Sequence, residues 1–278
     1  MEYFEAVADD IGLSRPGVQI AELGAGTGWL SVALAKNLPN AERVVATEMR
    51  AGGALRWLRR NVRANERAGH GESLRRLTTE ECDWSTYLGG EPTRSMYGDG
   101  DGDDAPSPAT TSTTSPRVEK KTETETETTE TDDDVESASV LDSTAWDFVV
   151  GSDLVYDDAG VVMLPRVFRR LLDNAANARA ASAGSLVPRS PGPGEKKNAS
   201  EVRKPTAYYA HTKYRYELRD IEFFAEMSRC GLVMTEVREP NAPTPPSSPE
   251  PLSELFPEKR IAVFRVERRE DVDEEDAA

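Results

Sequence analysis

Apolar residues recur along this chain at two different periods, and the periods alternate. Residues 2–11 put Tyr3, Phe4, Val7, Ala8 and Ile11 on one helical stripe. The apolar run 18–23 reads as a short strand, and 29–38 returns to helical spacing with Leu30, Ala33, Leu34 and Leu38. A second strand is predicted over 43–48, with Val44, Val45 and Ala46 buried and Glu48 at its end. A helix follows over 54–67 with Leu55, Leu58 and Val62 inward, then a weak strand near 74–79. Past a long polar stretch, 146–152 reads as a strong strand and 161–177 as a helix with Pro165 near its start. A strand at 206–211, a helix at 217–230 and strands at 232–238 and 260–266 complete the pattern. Such alternation predicts an α/β fold, doubly wound, with a mostly parallel sheet and helices on both faces. Ligands of such folds bind at the carboxyl ends of the strands.

Four stretches break the pattern because they hold too little apolar surface to offset the entropy of ordering. Residues 89–143 combine Gly-Asp repeats, a Ser/Thr/Pro patch, a Thr-Glu run and three successive aspartates. Residues 183–205 are rich in Pro, Gly, Ser and Lys, 239–257 hold seven prolines, and 268–278 form an acidic tail. The expectation is one domain over 1–278, with a disordered acidic insert, two flexible loops and the tail. The Thr-Glu run is an internal repeat with a period far too short for a solenoid.

Charge sharpens this division. The chain carries 34 Lys and Arg against 50 Asp and Glu, a net charge of -16. Residues 99–143 hold 14 acids and 3 bases, and 267–278 hold 7 acids and 2 bases, so these stretches account for the whole excess. The rest sums to neutral, which disfavours a basic nucleic-acid surface spread over the whole domain. No apolar run approaches the roughly 18–20 residues that span a bilayer. The acidic start Met-Glu-Tyr-Phe-Glu resembles neither a signal nor a transit peptide. Two cysteines, Cys82 and Cys230, are too few for a disulfide framework or a Cys-rich zinc site. A reduced, soluble chain of the cytoplasm, or of cytoplasm and nucleus, is expected, and no metal.

The most informative residues are Glu22-Leu23-Gly24-Ala25-Gly26-Thr27-Gly28, between the first strand and the helix beginning near Trp29. Glycines there allow a sharp turn and let a ligand lie on bare peptide. The spacing fails the dinucleotide fingerprint, because Trp29 stands where the third glycine belongs. No Gly-Lys-Ser/Thr follows, so it is not a phosphate loop. An acid before the loop repels phosphate and suits a cation. Gly-x-Gly-x-Gly preceded by Glu22 resembles motif I of the class I S-adenosylmethionine-dependent methyltransferases, whose cofactor is a sulfonium without phosphate. Glu48, 20 residues beyond Gly28 at the end of the next strand, can accept from both ribose hydroxyls. The alternative is a glycine-rich turn without a ligand.

Three further stretches narrow the resemblance: Asn-Val-Arg-Ala-Asn at 61–65, Cys82-Asp83-Trp84, and Trp146 to Tyr156 with its Asp153-Leu154-Val155-Tyr156. In this order the chain is similar to methyltransferase family 16, the methyltransferase-like 21 group of protein-lysine methyltransferases. Tyr208 to Leu232, with Tyr214-Arg215 and Phe223-Phe224, looks like that family's later strand and helix. The resemblance implies a Rossmann-like, seven-stranded sheet and S-adenosyl-L-methionine as cofactor. It implies a cofactor site of Glu22, Gly24, Ala25, Gly26, Thr27, Gly28, Glu48, Asp83, Trp84 and Ser152, with Asp83 and Trp84 flanking the adenine. The family also carries an upstream Trp that reaches the cofactor, whereas the first Trp here is Trp29.

Methyl transfer needs a neutral amine placed behind the sulfonium methyl, and a free lysine has a pKa of about 10.4. Asp153 is therefore the candidate to orient the amine or take its proton through water, and Tyr156 to wall the lysine channel. The competing reading makes Asp153 a helix cap and Tyr156 a core residue. Trp84 can equally be a core aromatic, and Cys82 a small buried residue. His70 reads as a loop residue and His211 as structural, and no Asn/Asp-Pro-Pro-Tyr segment points to base methylation. The expected partner is a protein substrate for a monomeric enzyme, with no membrane, nucleic acid disfavoured, and a basic partner for the acidic insert. A small-molecule methyltransferase and a non-catalytic interaction protein remain alternatives.

Overall fold

The structure, a computed structural model, describes residues 2–90, 140–184, 204–213, 217–237 and 261–276. In chain order the elements are α1 (Glu2–Val7), β1 (Gln19–Leu23), α2 (Trp29–Asn37), β2 (Arg43–Glu48), α3 (Ala54–Asn65) and α4 (Gly71–Leu74). They continue with β3 (Leu77–Glu81), α5 (Trp84–Tyr87), α6 (Val140–Ser143), β4 (Phe148–Ser152) and α7 (Asp158–Gly184). The last are β5 (Thr206–Thr212), α8 (Glu217–Arg229), β6 (Leu232–Glu236), β7 (Ile261–Arg268) and α9 (Arg269–Asp276). A 3-10 turn, Ala51–Gly53, precedes α3, and a π-helical turn, Glu66–His70, continues it.

The strands form one seven-stranded sheet in the order β3-β2-β1-β4-β5-β7-β6. Pairings from β3 to β5 are parallel, and β7 runs antiparallel to both neighbours. The strand period of two divides the core between the two faces. Ile20, Val44, Ala46, Phe148, Val150 and Tyr208 pack against Leu34, Leu55, Leu58 and Val62 of α2 and α3. Ala21, Leu23, Val45, Val149, Ala207 and Tyr209 pack against Leu164, Phe168 and Leu171 of α7 and Phe223 of α8. Crossovers leave β1 in one direction towards β2 and β3, and β4 in the other towards β5. The reversal, where such sheets bind ligands, falls between the carboxyl ends of β1 and β4.

The expected elements are all found, with corrections at their edges. The weak strand lies later than predicted, because Leu74 is buried as the end of α4 and pairing with β2 runs from Val44↔Leu77 to Glu48↔Glu81. The 161–177 helix extends over 158–184, opened by Asp157, whose Oδ1 accepts from the Gly160 N–H at 2.7 Å. Pro165 sits inside it, where a proline leaves the carbonyl four residues earlier without its backbone donor.

The expected insert 89–143 is too long at its carboxyl end. Residues 140–143 form α6, where Leu141 is fully buried and its carbonyl accepts from Trp146 Nε1 at 2.9 Å. Asp142 there accepts from Arg170 Nη2 and from the Tyr87 hydroxyl, each at 2.7 Å. The expected tail 268–278 is also corrected: Arg268 ends β7, and α9 is helical to Asp276. Arg268 Nη2 donates to buried Asp271 at 2.6 Å, which offsets the repulsion among the acids. Ala183 and Gly184 close α7, while Lys204 donates to the Asp271 carbonyl beside the start of β5. The remaining predictions for 91–139, 185–203 and 239–257, and the Tyr214-Arg215 pair, lie outside the described residues.

Candidate active site

Backbone conformation explains the glycines of the first crossover. Gly24, Gly26 and Gly28 have φ of 55°, 56° and 79°, the left-handed region that L side chains rarely enter. A Cβ at Gly24 would stand 2.5 Å from Leu154 Cδ2, and one at Gly28 2.4 Å from Leu58 Cδ1, so these two glycines permit close packing. A Cβ at Gly26 would meet nothing within 4 Å. Gly26 therefore presents bare peptide to open space. Ala25 N–H donates to the Thr47 carbonyl at 2.8 Å, and Thr47 Oγ1 donates to the Glu22 carbonyl at 2.8 Å. Asn61 of α3 holds the far end of the loop, its Nδ2 donating to the Thr27 carbonyl at 3.0 Å.

Glu48 ends β2 beside this loop. Its Oε2 accepts from Gly26 N–H and its Oε1 from Met49 N–H, both at 2.8 Å. Glu22, expected among the cofactor contacts, stands elsewhere. The alternation along β1 sends its side chain to the same face as Ile20, against α2, where it is buried and accepts from the Ser31 hydroxyl. Burial raises its pKa from 4.5 to about 7; the Ser31 hydrogen bonds oppose that and the nearby Glu48 charge adds to it. Glu22 is thus an anchor beneath the loop, its carboxyl turned towards α2.

The third strand brings Asp83 and Trp84 to the same end of the sheet, where Cys82 N–H donates to the Glu48 carbonyl at 3.0 Å. Asp83 caps α5, its Oδ1 accepting from Ser85 N–H at 2.9 Å. Trp84 is half-buried, its ring packed against the α7 side of the core. Cys82 is buried, and its thiol is pushed up to about 12, mainly by desolvation and then by surrounding carboxylates. It stays a neutral thiol at neutral pH.

At the end of β4, Ser152 and Asp153 are exposed. Asp153 has φ of 54°, the positive value found among non-glycine described residues, and its N–H donates to the Ala210 carbonyl at 2.9 Å. It does not cap α7, since Asp157 does. Tyr156 is 50% exposed, not core. Its hydroxyl is pushed above its ordinary value by partial burial, then by the charges of Asp157 and Glu48. Arg219 of α8 secures this loop, with Nη1 donating to the Tyr156 carbonyl at 3.0 Å and Nε to Asp158 Oδ1 at 2.9 Å.

A buried polar chain supports the same loop from below. Leu154 N–H donates to the Tyr209 hydroxyl at 3.1 Å, His211 Nδ1 lies 3.4 Å from that hydroxyl, and His211 Nε2 lies 3.1 Å from Asp220 Oδ1. Burial holds His211 below its ordinary value against the opposing pull of Asp220, so the ring is neutral at neutral pH. With Nε2–H donating to Asp220, Nδ1 accepts from the Tyr209 O–H and every group is satisfied.

The structure thus gathers Gly24 to Gly28, Glu48, Asp83, Trp84, Ser152, Asp153 and Tyr156 at the carboxyl ends of four adjacent parallel strands. Asn61, Tyr209, His211 and Arg219 complete the arrangement and were not among the predicted site residues. Asn61 carried a signal as part of its paired-asparagine segment, and Tyr209, His211 and Arg219 lie inside the 208–232 stretch singled out above, with no site role marked on them. Among the described residues no group of three or more His, Cys, Asp or Glu is placed to hold a metal ion, and no helix is long and apolar enough to cross a membrane.

No protein-family model matches the chain, and no curated protein matches it. Similar solved structures include the precorrin-6y C5,15-methyltransferase of Geobacter metallireducens, with a TM-score of 0.39 and 11% identity over 95% of this chain and 89% of that one. The methyltransferase domain of bacterial CtHen1 gives a TM-score of 0.44 at 9% identity, over 96% of this chain and 97% of that one. Cofactor-bound Rv0187 from MTB gives 0.44 at 10% identity, over 96% and 79% respectively.

Proposed function

We propose that the protein is an S-adenosylmethionine-dependent methyltransferase that modifies a nitrogen of a protein substrate, with a lysine side chain as acceptor. The observation that carries this reading is the pairing of an open, left-handed Gly26 with the Glu48 carboxylate at the carboxyl ends of β1 and β2, beside the switch point of the sheet. A ligand with a sugar hydroxyl pair, a cationic centre and no phosphate fits that combination. Gly24 to Gly28 would take its length along bare peptide, Glu48 the ribose, and Asp83 and Trp84 the adenine edge and face. When bound, S-adenosylmethionine supplies a methyl group activated by its sulfonium.

The chain's own residues supply position and charge. Glu48 makes the hollow negative, which favours a cation. Asp153 is held exposed at the mouth by its backbone and can accept a hydrogen bond from the incoming amine or take its proton through water. Tyr156 offers a half-exposed ring beside it, against which the alkyl stem of a lysine packs.

Calorimetry of the full chain with S-adenosylhomocysteine tests the cofactor site, with binding expected for the native chain and lost in Gly26→Arg. Absence of binding, or binding indifferent to Gly26→Arg, overturns it. Labelled methyl added to an extract tests the acceptor. Label on a lysine of a protein supports the reading, and label confined to metabolites overturns the protein acceptor while leaving the cofactor site standing.

A further inference from the structure

The neutral total of the folded body conceals a local separation of charge. From residue 50 to residue 76 stand eight arginines against two carboxylates. Three of the arginines have local work: Arg50 pairs with Glu81, Arg75 with Glu72, and Arg76 donates to the Leu38 carbonyl. The other five, Arg56, Arg59, Arg60, Arg63 and Arg67, are exposed and form no ion pair with a described residue. At about 100° per residue they fall within about 100° of arc on α3 and its π-helical continuation, over about 16 Å of helix. Like charges three and four residues apart destabilise a helix, so this stripe works against the fold that carries it.

Two further observations border the stripe. Trp57 is 50% exposed, with the Arg60 guanidinium carbon 5.0 Å from its ring centroid, and Trp29 at the start of α2 is 66% exposed. Passing round α3 from the arginines, Trp57 comes first and then Asn61 and Asn65. There α2 and α3 open a groove of about 480 Å³, lined also by Trp29, Lys36 and Asn37.

We propose that this face binds single-stranded nucleic acid. Guanidinium forks match phosphate oxygens, exposed tryptophans offer stacking platforms to unpaired bases, and a cationic track beside aromatic rings is the general design of single-strand sites. The amide nitrogens of Asn37 and Asn65 donate to the Ala33 and Asn61 carbonyls, which leaves their oxygens in the groove to accept from a base edge. An acidic polypeptide would use the arginines and leave both tryptophans and the amide-lined groove idle, and a duplex offers no unstacked base to Trp57. A neutral total argues against a basic coat over the whole domain, not against one basic helix face. The arginine stripe lies on the solvent side of α3 and does not depend on the methyl-transfer reading, while the groove beside it also reaches Thr27 and Gly28 of the glycine loop.

Fluorescence anisotropy of the full chain with a labelled, mixed-sequence single-stranded RNA of about 15 nucleotides tests this. The expected result is saturable binding that weakens with salt, with a log–log slope of about -0.7 for each phosphate neutralised. Arg63→Ala should flatten that slope by about 0.7. Trp57→Ala should weaken binding by about 5- to 100-fold and leave the slope unchanged. No binding, or binding retained by the triple variant Arg56→Glu, Arg60→Glu, Arg63→Glu, overturns the proposal. So does displacement by poly-glutamate at equal charge, which assigns the face to acidic polypeptides, or duplex binding indifferent to Trp57→Ala. All these positions are exposed, and circular dichroism of each variant verifies the fold.

Discussion

Glu48 Oε2 accepts a hydrogen bond from the Gly26 N–H at 2.8 Å, joining the end of one strand to the loop that follows its neighbour. The two residues are 22 positions apart, and parallel pairing of Glu22 with Ala46 brings them together. The contact orients the carboxylate over the only stretch of the loop where a Cβ would meet open space among the three glycines. A group held this way needs no reorganisation to receive a ligand, and preorganisation is what makes a hydrogen-bonding site selective.

Glu48→Gln separates charge from geometry. The glutamine carbonyl can keep the bond to Gly26, but its amide nitrogen cannot accept from the Met49 N–H, so the urea midpoint should fall modestly, by about 0.5–1.5 kcal/mol of stability. Its amide replaces one acceptor of a ribose with a donor. Hydrogen bonds to charged groups are worth about 1.5–3 kcal/mol, so the affinity for S-adenosylhomocysteine should fall about 10- to 100-fold by calorimetry.

Gly26→Ala and Gly28→Ala should part company in stability. Both place an L side chain at positive φ, at about 1–2 kcal/mol. Gly28→Ala also drives a methyl into Leu58, a fully buried side chain at 2.4 Å, and overpacking adds about 1–3 kcal/mol. Urea denaturation should therefore show the larger loss for Gly28→Ala. Gly26→Ala should fold with the smaller loss and yet bind S-adenosylhomocysteine poorly, because its methyl occupies the open face.

What was legible in the sequence follows the range of the forces involved. Val44-Val45-Ala46 and Trp146 to Ser152 announce buried strands because periodicity is local, and Gly24 to Gly28 announce a turn because positive φ selects glycine. Glu48 was legible since a strand end is a fixed distance from the loop. Glu22 misled, because its place before the loop points to the ligand while the alternation of β1 turns it to α2. Asn61, Tyr209 and Arg219 reach partners 34, 55 and 63 residues away, and no local pattern encodes such pairings. Residues 140–143 were hidden by the polar chain before them, although Leu141 is fully buried.

Glu22 should make stability fall as pH rises from about 4.5 to about 7. Its folded pKa is raised, so below 4.5 the carboxyl is protonated in both states and nothing is lost. Between the two values the unfolded chain ionises while the folded one resists, and above about 7 the full penalty is present, on the order of 3 kcal/mol. His211 acts oppositely, because its lowered pKa removes stability as pH falls below 6.5. The test is therefore the difference between native chain and Glu22→Gln at each pH. Urea midpoints should show the variant little changed at pH 4 and stabilised at pH 8. A difference independent of pH would count against the buried carboxylate.

Tyr209→Phe and Asp153→Asn should dissect the loop at the end of β4. Removing the Tyr209 hydroxyl strips the Leu154 N–H of its acceptor and leaves His211 Nδ1 without a donor, at a cost of about 1–3 kcal/mol for the buried groups. Leu154 carries the loop and touches Gly24, so the variant should lose stability and weaken both S-adenosylhomocysteine binding and methyl transfer. Asn tolerates the left-handed region as well as Asp does, so Asp153→Asn should keep the native urea midpoint and cofactor affinity. Its turnover should fall by about 100-fold or more, since the group placed to accept from the amine has lost its charge. If Asp153→Asn instead retains full turnover, Asp153 serves the backbone geometry alone, and acceptor positioning belongs to Tyr156.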